Sequence, residues 1–449
     1  MQEKITELLN EKNMKELKAT LSSMKPADIA ECLDNRPSED TVLLFRLLPK
    51  ELAAETFTYV DSDTQQSLIN MFTDEETESI INKIFADDAA DLVEEMPAGV
   101  VKKILKNASP KRRNAINELL NYPSESAGSI MTIEFVNFRP NMSVEEAFAI
   151  IRKTGVHKET IYTCYVIDEK RKLLGTVSVK DLLLSDYSAK ISDIMDSNTI
   201  SVNTGDDREF VVKQMSKYDI MAIPVTDNEE KLVGIITVDD AMDVFVEERE
   251  EDFAKMSAMV PNEESYFKTS TFTHAKNRLV WLLFLMLSAT LTGVIISRYE
   301  AAIASVPILV SFIPMLMDTG GNCGSQSSTL IIRGLALDEI TPSDAFKVLF
   351  KEAGIAMLVG AVLSLINGLR IYFMYRGKED INSFSLALTV SLTIFLIVFL
   401  SEAIGCLLPI IAKKLKMDPA LMAAPLITTI IDTVAIVIFF NIALAILPV

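Results

Sequence analysis

Apolar residues recur with three different periods along this chain. Over residues 1–130 they fall at helical spacing in short stretches, with Pro, Asp or Ser at the joins. This pattern predicts helices at Pro26–Leu33, Glu39–Leu48, Pro49–Val60, Asp63–Phe72, Asp74–Phe85, Asp87–Met96, Ala98–Ala108 and Pro110–Leu120. Asp74, Asp87 and Ser109–Pro110 stand where helix caps are expected. Pro-Ala-Asp-Ile-Ala-Glu at 26–31 is roughly echoed by Asp-Asp-Ala-Ala-Asp-Leu at 87–92. A small superhelical α-solenoid explains the echo, and an irregular bundle fits the pattern equally well.

From 131 to 250, β-branched runs alternate with helical stretches, and the segment repeats. Tyr165-Val-Ile-Asp168 followed by Leu174-Gly-Thr-Val-Ser-Val-Lys-Asp181 returns as Pro224-Val-Thr-Asp227 and Val233-Gly-Ile-Ile-Thr-Val-Asp-Asp240. Asp168 to Asp227, Gly175 to Gly234 and Asp181 to Asp240 are each 59 residues apart. Each copy opens with a Met before a strand, Met131 and Met195. Two paired β-α-β-β-α units are predicted, at 131–190 and 191–250. They resemble a tandem CBS pair, a regulatory module whose cleft commonly takes adenosine nucleotides or ions. Residues 239–270 then form an acidic connecting segment, with eight carboxylates from Asp239 to Asp252 opposed only by Arg249. Met242, Phe245, Val246, Phe253 and Met256 give that helix an apolar face.

Beyond 270 the apolar runs lengthen. Five spans are predicted near Arg278–Ser297, Ile303–Ile332, Ala353–Tyr375, Phe384–Ala412 and Pro419–Leu447, each long enough for a ~30 Å hydrocarbon core. Lys268, Lys276, Arg278, Arg333, Lys347, Lys351, Lys413, Lys414 and Lys416 fall on one side of these spans. Arg298, Arg370, Arg376 and Lys378 fall on the other. The bias places the first half in the cytosol and the C-terminus outside a cell membrane.

Charge divides the chain at the same point. Residues 1–270 hold 31 Lys+Arg against 51 Asp+Glu, a net of −20, and residues 271–449 hold 12 against 11, a net of +1. No segment supplies the basic surface a nucleic-acid binder needs; the acidic half favours cations. The start, from Met1 to Lys12, is charged and lacks an apolar core, so no secretion signal is expected. The four cysteines (Cys32, Cys164, Cys323 and Cys406) lack metal spacing and read as reduced thiols. With only His157 and His274, a zinc site or a His-based triad has little support, and an enzyme is not expected.

Ionisable groups inside apolar spans mark function by default. Asp432 lies 13 residues past Pro419, about 20 Å along the last helix. Thr428, Thr429 and Thr433 add hydroxyls there, and Pro425 would free a backbone carbonyl to face a cavity. Asp318-Thr-Gly-Gly-Asn-Cys-Gly-Ser-Gln-Ser-Ser-Thr329 interrupts the second span. Lining a wet pathway would use Asp318, Asn322 and Gln326, whereas close packing through small residues explains only the glycines. Glu402 either lines the path or pairs across helices, and Arg370 is expected to snorkel. Oxygen donors without soft ligands suit a hard cation. A sparse carboxylate site fits hydrated Mg²⁺ better than Ca²⁺, with Na⁺ or H⁺ coupling as the alternative.

With these features in place, the chain resembles the MgtE family of magnesium channels and transporters over essentially its whole length. The most specific segments are Pro314-Met-Leu-Met-Asp-Thr-Gly-Gly-Asn-Cys-Gly-Ser-Gln-Ser-Ser-Thr-Leu-Ile-Ile-Arg333-Gly-Leu-Ala, then Asp418-Pro-Ala-Leu421 with Pro425-Leu-Ile-Thr-Thr-Ile-Ile-Asp432. The resemblance implies a homodimer in lipid with one central pore, Asp432 selecting Mg²⁺ and Gly321, Ser325 and Thr329 lining the same path. It also implies that a helical N domain (1–130) and the CBS pair sense internal Mg²⁺, and that the connecting helix plugs the pore of a five-helix domain at 271–449. The implied sensing carboxylates are Asp87 and Asp91; Asp207, Glu209 and Asp219; Asp240, Asp243, Glu248, Glu251 and Asp252; and Asp418 at the cytosolic mouth. Family members also bind ATP at the CBS pair. Two other readings use the same residues: a Na⁺- or H⁺-coupled transporter with an adenylate-sensing CBS pair, and a membrane-anchored sensor without transport.

Overall fold

A computed structural model of the chain describes residues 2–34, 36–262, 266–377, 382–422 and 424–447. It divides into two units, residues 1–245 and 246–449. The first begins with ten short helices: α1 (Gln2–Asn10), α2 (Met14–Leu21), α3 (Pro26–Asp34), α4 (Ser38–Arg46), α5 (Lys50–Tyr59), α6 (Ser62–Met71), α7 (Asp74–Ile81), α8 (Ala86–Glu95), α9 (Ala98–Asn107) and α10 (Pro110–Leu119). Alternate helices pack: α3 on α5, α5 on α7, α7 on α9 and α8 on α10. Ile29, Leu44, Leu68, Ile81 and Ile104 are fully buried along this stack. Of the expected caps, Ser109 accepts from the Arg112 amide, but Asp74 and Asp87 lie inside their helices. Thr73 caps α7 instead, in a capping box with Glu76. A hydroxyl one residue earlier reaches the open amide better than a carboxylate already in the helical turn.

The repeat at 131–250 folds as two matching three-stranded sheets. In the first, β1 (Asn137–Phe138) runs parallel to β2 (Thr163–Ile167), which pairs antiparallel with β3 (Leu173–Ser178). Helix α11 (Val144–Thr154) connects β1 to β2, α12 (Val179–Leu184) follows β3, and α13 (Ile191–Ile194) leads to the second copy. That copy repeats the order with β4 (Val202–Asn203), α14 (Arg208–Tyr218), β5 (Ala222–Thr226), β6 (Leu232–Thr237) and α15 (Val238–Met256). The hairpin registers superimpose pair for pair. Tyr165 faces Thr176 as Pro224 faces Ile235, and both hairpins are irregular at the same step, Val166/Ile167 and Val225/Thr226. The methionine segments are exchanged between copies. Thr132 bridges Ile235 and Met131 crowds Gly234, whereas Asp196 bridges Thr176 and Met195 crowds Gly175. A side chain at either glycine would collide with that crossing strand, which is why the sequence repeats glycine there.

Helix α15 ends at Met256, short of the expected acidic segment's end at 270. The apolar face expected to pack is also largely outward. Ala241 and Val244 are buried, while Met242, Phe245, Val246 and Phe253 are exposed.

The second unit is helical: α16 (Thr271–Ser297), α17 (Glu300–Ser305), α18 (Ile313–Ala336), α19 (Ala345–Tyr375), α20 (Ser383–Lys414) and α21 (Ala424–Ile446). Four segments are long and apolar enough to cross a membrane: Thr271–Ser297, Pro342–Tyr375, Ser383–Lys414 and Pro419–Ile446. On α16 only Thr292 is buried, and Leu282 and Leu287 stand 59% and 69% exposed, as lipid-facing residues do. Lys378 of the orientation argument lies outside the described residues.

The second expected span, Ile303–Ile332, is corrected in two ways. The chain does break, but at Val306 and a 3₁₀ turn from Pro307 to Phe312, because proline restricts the residue before it and lacks an amide. Through the Gly-rich segment α18 is an unbroken helix of 24 residues, about 36 Å long. Its glycines pack. A Cβ on Gly320 would stand 2.6 Å from Ile397, one on Gly324 would strike Ile431, and one on Gly405 of α20 would strike the Gly324 carbonyl. Small residues let these backbones approach closely. Gly405→Ala is therefore expected to destabilise the bundle by about 1–3 kcal/mol, because a backbone carbonyl cannot yield as a side chain can. A melt of the detergent-solubilised protein checks this; an unchanged midpoint would contradict the crossing.

Candidate ion pathway and regulatory carboxylates

Because the glycines, Ser327 and Ser328 turn α18 inward, its other face carries Asp318, Asn322, Gln326, Thr329 and Arg333, all exposed, with Ser325 beside them. This is a polar stripe at helical spacing on a helix otherwise packed among apolar ones. Helix α21 and the turn before it run alongside: Ser328 Oγ donates to the carbonyl of Met422 in that turn at 2.9 Å, and a Cβ on Gly321 would meet Thr428 of the helix at 2.9 Å. That register brings Asp318 within electrostatic reach of the half-buried Asp432.

Several positions differ from expectation. Asp432 lies eight residues into α21, about 12 Å from its start, because the helix begins at Ala424. Asp318 lies five residues into α18, near that helix's start. Pro425 is the second residue of α21, where its missing amide breaks no bond. Its carbonyl accepts from Thr428 and Thr429 at 3.0 and 2.9 Å, so neither carbonyl nor hydroxyls face a cavity freely. Thr433 hydrogen-bonds Thr292 of α16 at 2.9 Å. Arg370 donates to Asn367 at 2.6 Å and lies 3.0 Å from Met315 Sδ, a tethered arrangement and not a free snorkel. Glu402 is buried.

In the first unit, acids converge from three segments. Asp87, Asp88 and Asp91 come from α8, Glu159 from the chain after the 3₁₀ turn Gly155–His157, and Asp239 and Asp240 from the first turn of α15. Asp87 is 7% exposed and its Oδ1 lacks a hydrogen-bond partner. Burial, then Asp88, Asp240 and Glu159, hold its carboxyl well above the usual range. Asp88 and Asp240 are each pushed up to about 6, by burial first and by Asp239 among others. Glu159 is pushed up to about 8 by burial, then by Asp240 and Asp88. Asp91, raised to about 7 by its crowded surroundings and by Asp88 and Asp240, still faces solvent and counts least. Arg112 nearby is occupied by Glu134 at 2.8 Å. Among the described residues no three acids stand close enough to hold one metal ion. The cluster is thus a repelling acidic seam and not a finished cage. Oxygen-only donors and the orphaned Asp87 Oδ1 fit a hard divalent cation.

Asp207, Glu209 and Asp219 are not brought together. Asp207 caps the start of α14, accepting from the Glu209 and Phe210 amides; Glu209 pairs with Lys213 at 2.8 Å; and Asp219 ends the helix in a left-handed conformation at φ 51°. Asp243 is exposed on α15, while Glu248 and Asp252 are half-buried there. Glu251 and Asp418 meet through a residue the sequence reading passed over. Lys255 lies 2.7 Å from each, joining the end of α15 to the turn before α21. Burial works against that ammonium, but the two carboxylates raise it further. Asp88, Glu159 and Lys255 were thus missed. Asp88 and Lys255 were visible as neighbours of chosen acids, but Glu159 reaches the seam only through tertiary folding.

Together, a CBS pair, an acidic seam and a bundle of apolar helices with one polar stripe describe a membrane-embedded cation transporter that carries a CBS-bearing unit. Residues 313–442 match the MgtE divalent cation transporter family, 24–125 the MgtE intracellular N domain, and 127–186 and 191–247 the CBS domain. The chain is 33% identical over 452 residues to the magnesium transporter MgtE of Thermus thermophilus, covering 99% of this chain and 98% of that one. It is 30% identical over 438 residues to that of Bacillus subtilis, at 98% and 95% coverage. The crystallised cytosolic domain of the Mg²⁺ channel MgtE in complex with ATP aligns at a TM-score of 0.52 and 32% identity, covering 54% of this chain and all of that one. The chain belongs to the MgtE family.

Proposed function

We propose that this protein carries Mg²⁺ across the plasma membrane through a pore formed between two copies, and that internal Mg²⁺ closes it. The carrying observation is the exposed polar stripe of α18 beside Asp432. In a bundle whose exposed residues are largely apolar between the charged helix ends, such a face must meet water or a second polar face, and a two-fold partner provides both. Asp432 and Asp318 then hold the hydrated ion, with Asn322, Ser325 and Thr329 along the path and Gly321 admitting α21. Helix α18 is the fifth crossing helix, the N-terminal half is cytosolic and the C-terminus is external. Residues 1–130 act as a superhelical Mg²⁺-sensing domain and 131–190 and 191–250 as the CBS copies. Residues 271–449 form the pore domain, with α15 as the plug connecting to it. Regulatory Mg²⁺ relieves the seam of Asp87, Asp91 and Asp240, and competes with Lys255 for Glu251 and Asp418. The ATP held by the crystallised relative supports a nucleotide at this CBS pair.

In protein freed of its four native cysteines, Asn322→Cys is expected to form a disulfide-linked dimer on mild oxidation in membranes. Leu358→Cys, on the outward face of α19, should not. Cross-linking at neither position, with flux retained, would contradict a shared central pore.

A further inference from the structure

We propose that Thr292 of α16 is a positioning residue for the ion path: its hydroxyl holds the turn of α21 that carries Asp432, so that the carboxylate is presented to the passing Mg²⁺. The inference rests on the proposed pore, in which Asp432 holds the ion. Helix α16 touches the rest of the bundle lightly. Of its 27 residues only Thr292 is buried, at 6% exposed, and a Cβ added at its neighbour Gly293 would meet nothing within 4 Å. A buried hydroxyl on an apolar helix needs a partner, and Thr292 Oγ1 finds Thr433 Oγ1 at 2.9 Å. Thr433 immediately follows Asp432.

The direction of this bond follows from its neighbours. Thr433 donates its own proton to the Thr429 carbonyl at 3.2 Å. One hydroxyl carries one proton, so Thr292 is the donor and Thr433 the acceptor. Thr428 and Thr429 cannot take its place, because both donate to the Pro425 carbonyl within their own helix. Further along, Tyr299 beyond the end of α16 stacks on Phe440 at 4.7 Å and accepts from Asn441 at 3.0 Å. Those contacts lie about 12 Å or more along α21 from Asp432, leaving Thr292 as the tie to α16 at the carboxylate's own level.

Successive residues of a helix point about 100° apart. Ile431 faces α18, where a Cβ on Gly324 would strike it, and Thr433 faces α16 about 200° further round. Asp432 therefore projects from the flank between two opposed contacts, and its heading is fixed by whatever stops α21 from turning. The Ile431 contact is apolar and non-directional, so it permits a turn, whereas a hydrogen bond weakens steeply as it bends. The Thr292 hydroxyl supplies that directional stop.

Isotopic Mg²⁺ uptake into proteoliposomes, over a range of external Mg²⁺, tests this on the full-length protein. Thr292→Val keeps the branched shape and removes the hydroxyl. It is expected to raise the half-saturating Mg²⁺ concentration about three- to tenfold, while maximal flux per folded dimer holds. Thr292→Ser, which keeps the hydroxyl, should stay within about twofold of wild type. A merely structural role would lower maximal flux and leave half-saturation where it was. Unchanged half-saturation in Thr292→Val, or equal impairment in Thr292→Ser, would overturn the proposal. In protein freed of its native cysteines, the rate at which a small thiosulfonate reagent labels Asp432→Cys reads the presentation of that position without any flux. Adding Thr292→Val should change this rate at least about threefold, and adding Thr292→Ser should not. Equal rates in all three overturn the proposal whether or not Asp432 holds the ion. Altered rates together with full flux in Asp432→Asn would uphold the tie and overturn the pore reading instead.

Discussion

Asp432→Asn is expected to reduce Mg²⁺ entry into dye-loaded proteoliposomes by about a hundredfold. A hydrated Mg²⁺ keeps its water shell and approaches a carboxylate to roughly 6 Å. At an effective dielectric near 20, the two charges of the ion against one carboxylate are then worth about 5.5 kcal/mol, and water and salt in the path screen this to about half, or a factor of about a hundred in site occupancy. The substitution preserves shape and removes only the charge. Asp432 is half-buried, and the hydrogen bonds that tie α21 to its neighbours run through Thr433 and Asn441, with Ser328 holding the turn before the helix. Folding and dimer size should therefore survive. Asp318→Asn should cost less, because Asp318 lies on the open face of α18 where water screens it. Full flux in Asp432→Asn with collapse in Asp318→Asn would move the selective site to α18. Loss of neither would return the coupled-transporter and sensor readings to contention.

Sequence periodicity exposed the three architectural regimes because each carries its own repeat. The 59-residue spacing foretold hairpins whose registers match pair for pair. It could not foretell that Met131 serves the second copy and Met195 the first, since strand exchange leaves the spacing unchanged. The glycines of α18 were read as a break because Gly weakens an isolated helix. Here packing overrides propensity, and Gly324 against Gly405 is a contact between residues 81 positions apart. Pro425 was placed inside a helix that starts one residue before it, a boundary error that changed the predicted chemistry of its carbonyl. The stripe itself was legible: Asp318, Asn322, Gln326 and Thr329 needed only the helical period. Glu159 and the Thr292–Thr433 bond were not, because their partners lie in distant segments and no local pattern marks them.

Neutralising the acidic seam is expected to make closure by internal Mg²⁺ nearly independent of pH and to weaken it about tenfold or more. Asp87, Asp88, Glu159 and Asp240 all have raised folded-state values, so the packed seam binds more protons than a separated one. Its stability is fully present below the ordinary carboxylate range near pH 4. Without divalent cations it is lost as pH rises through about 6 to 8, the range set by Asp240, Asp88 and Glu159. For Asp240 alone the displacement corresponds to about 3 kcal/mol. A divalent cation entering the seam replaces those protons, so Mg²⁺ should protect wild type against proteolysis between α8 and α15 more strongly at about pH 8 than at about pH 6. Asp87→Asn/Asp240→Asn keeps the acceptor that Thr237 uses at position 240 and removes two charges from the repelling group. Without Mg²⁺ at about pH 8 the double variant should melt above wild type, since repulsion is relieved. With Mg²⁺ it should gain less, and its flux should be harder to shut. An ion shifts the gate only by the difference in its affinity for the two states, and this variant removes that difference while preserving the fold. Wild-type inhibition in the variant, with the same pH dependence, would mean that these acids form a solvated face and that the gate is set elsewhere, with the Lys255 junction to Glu251 and Asp418 the next place to test.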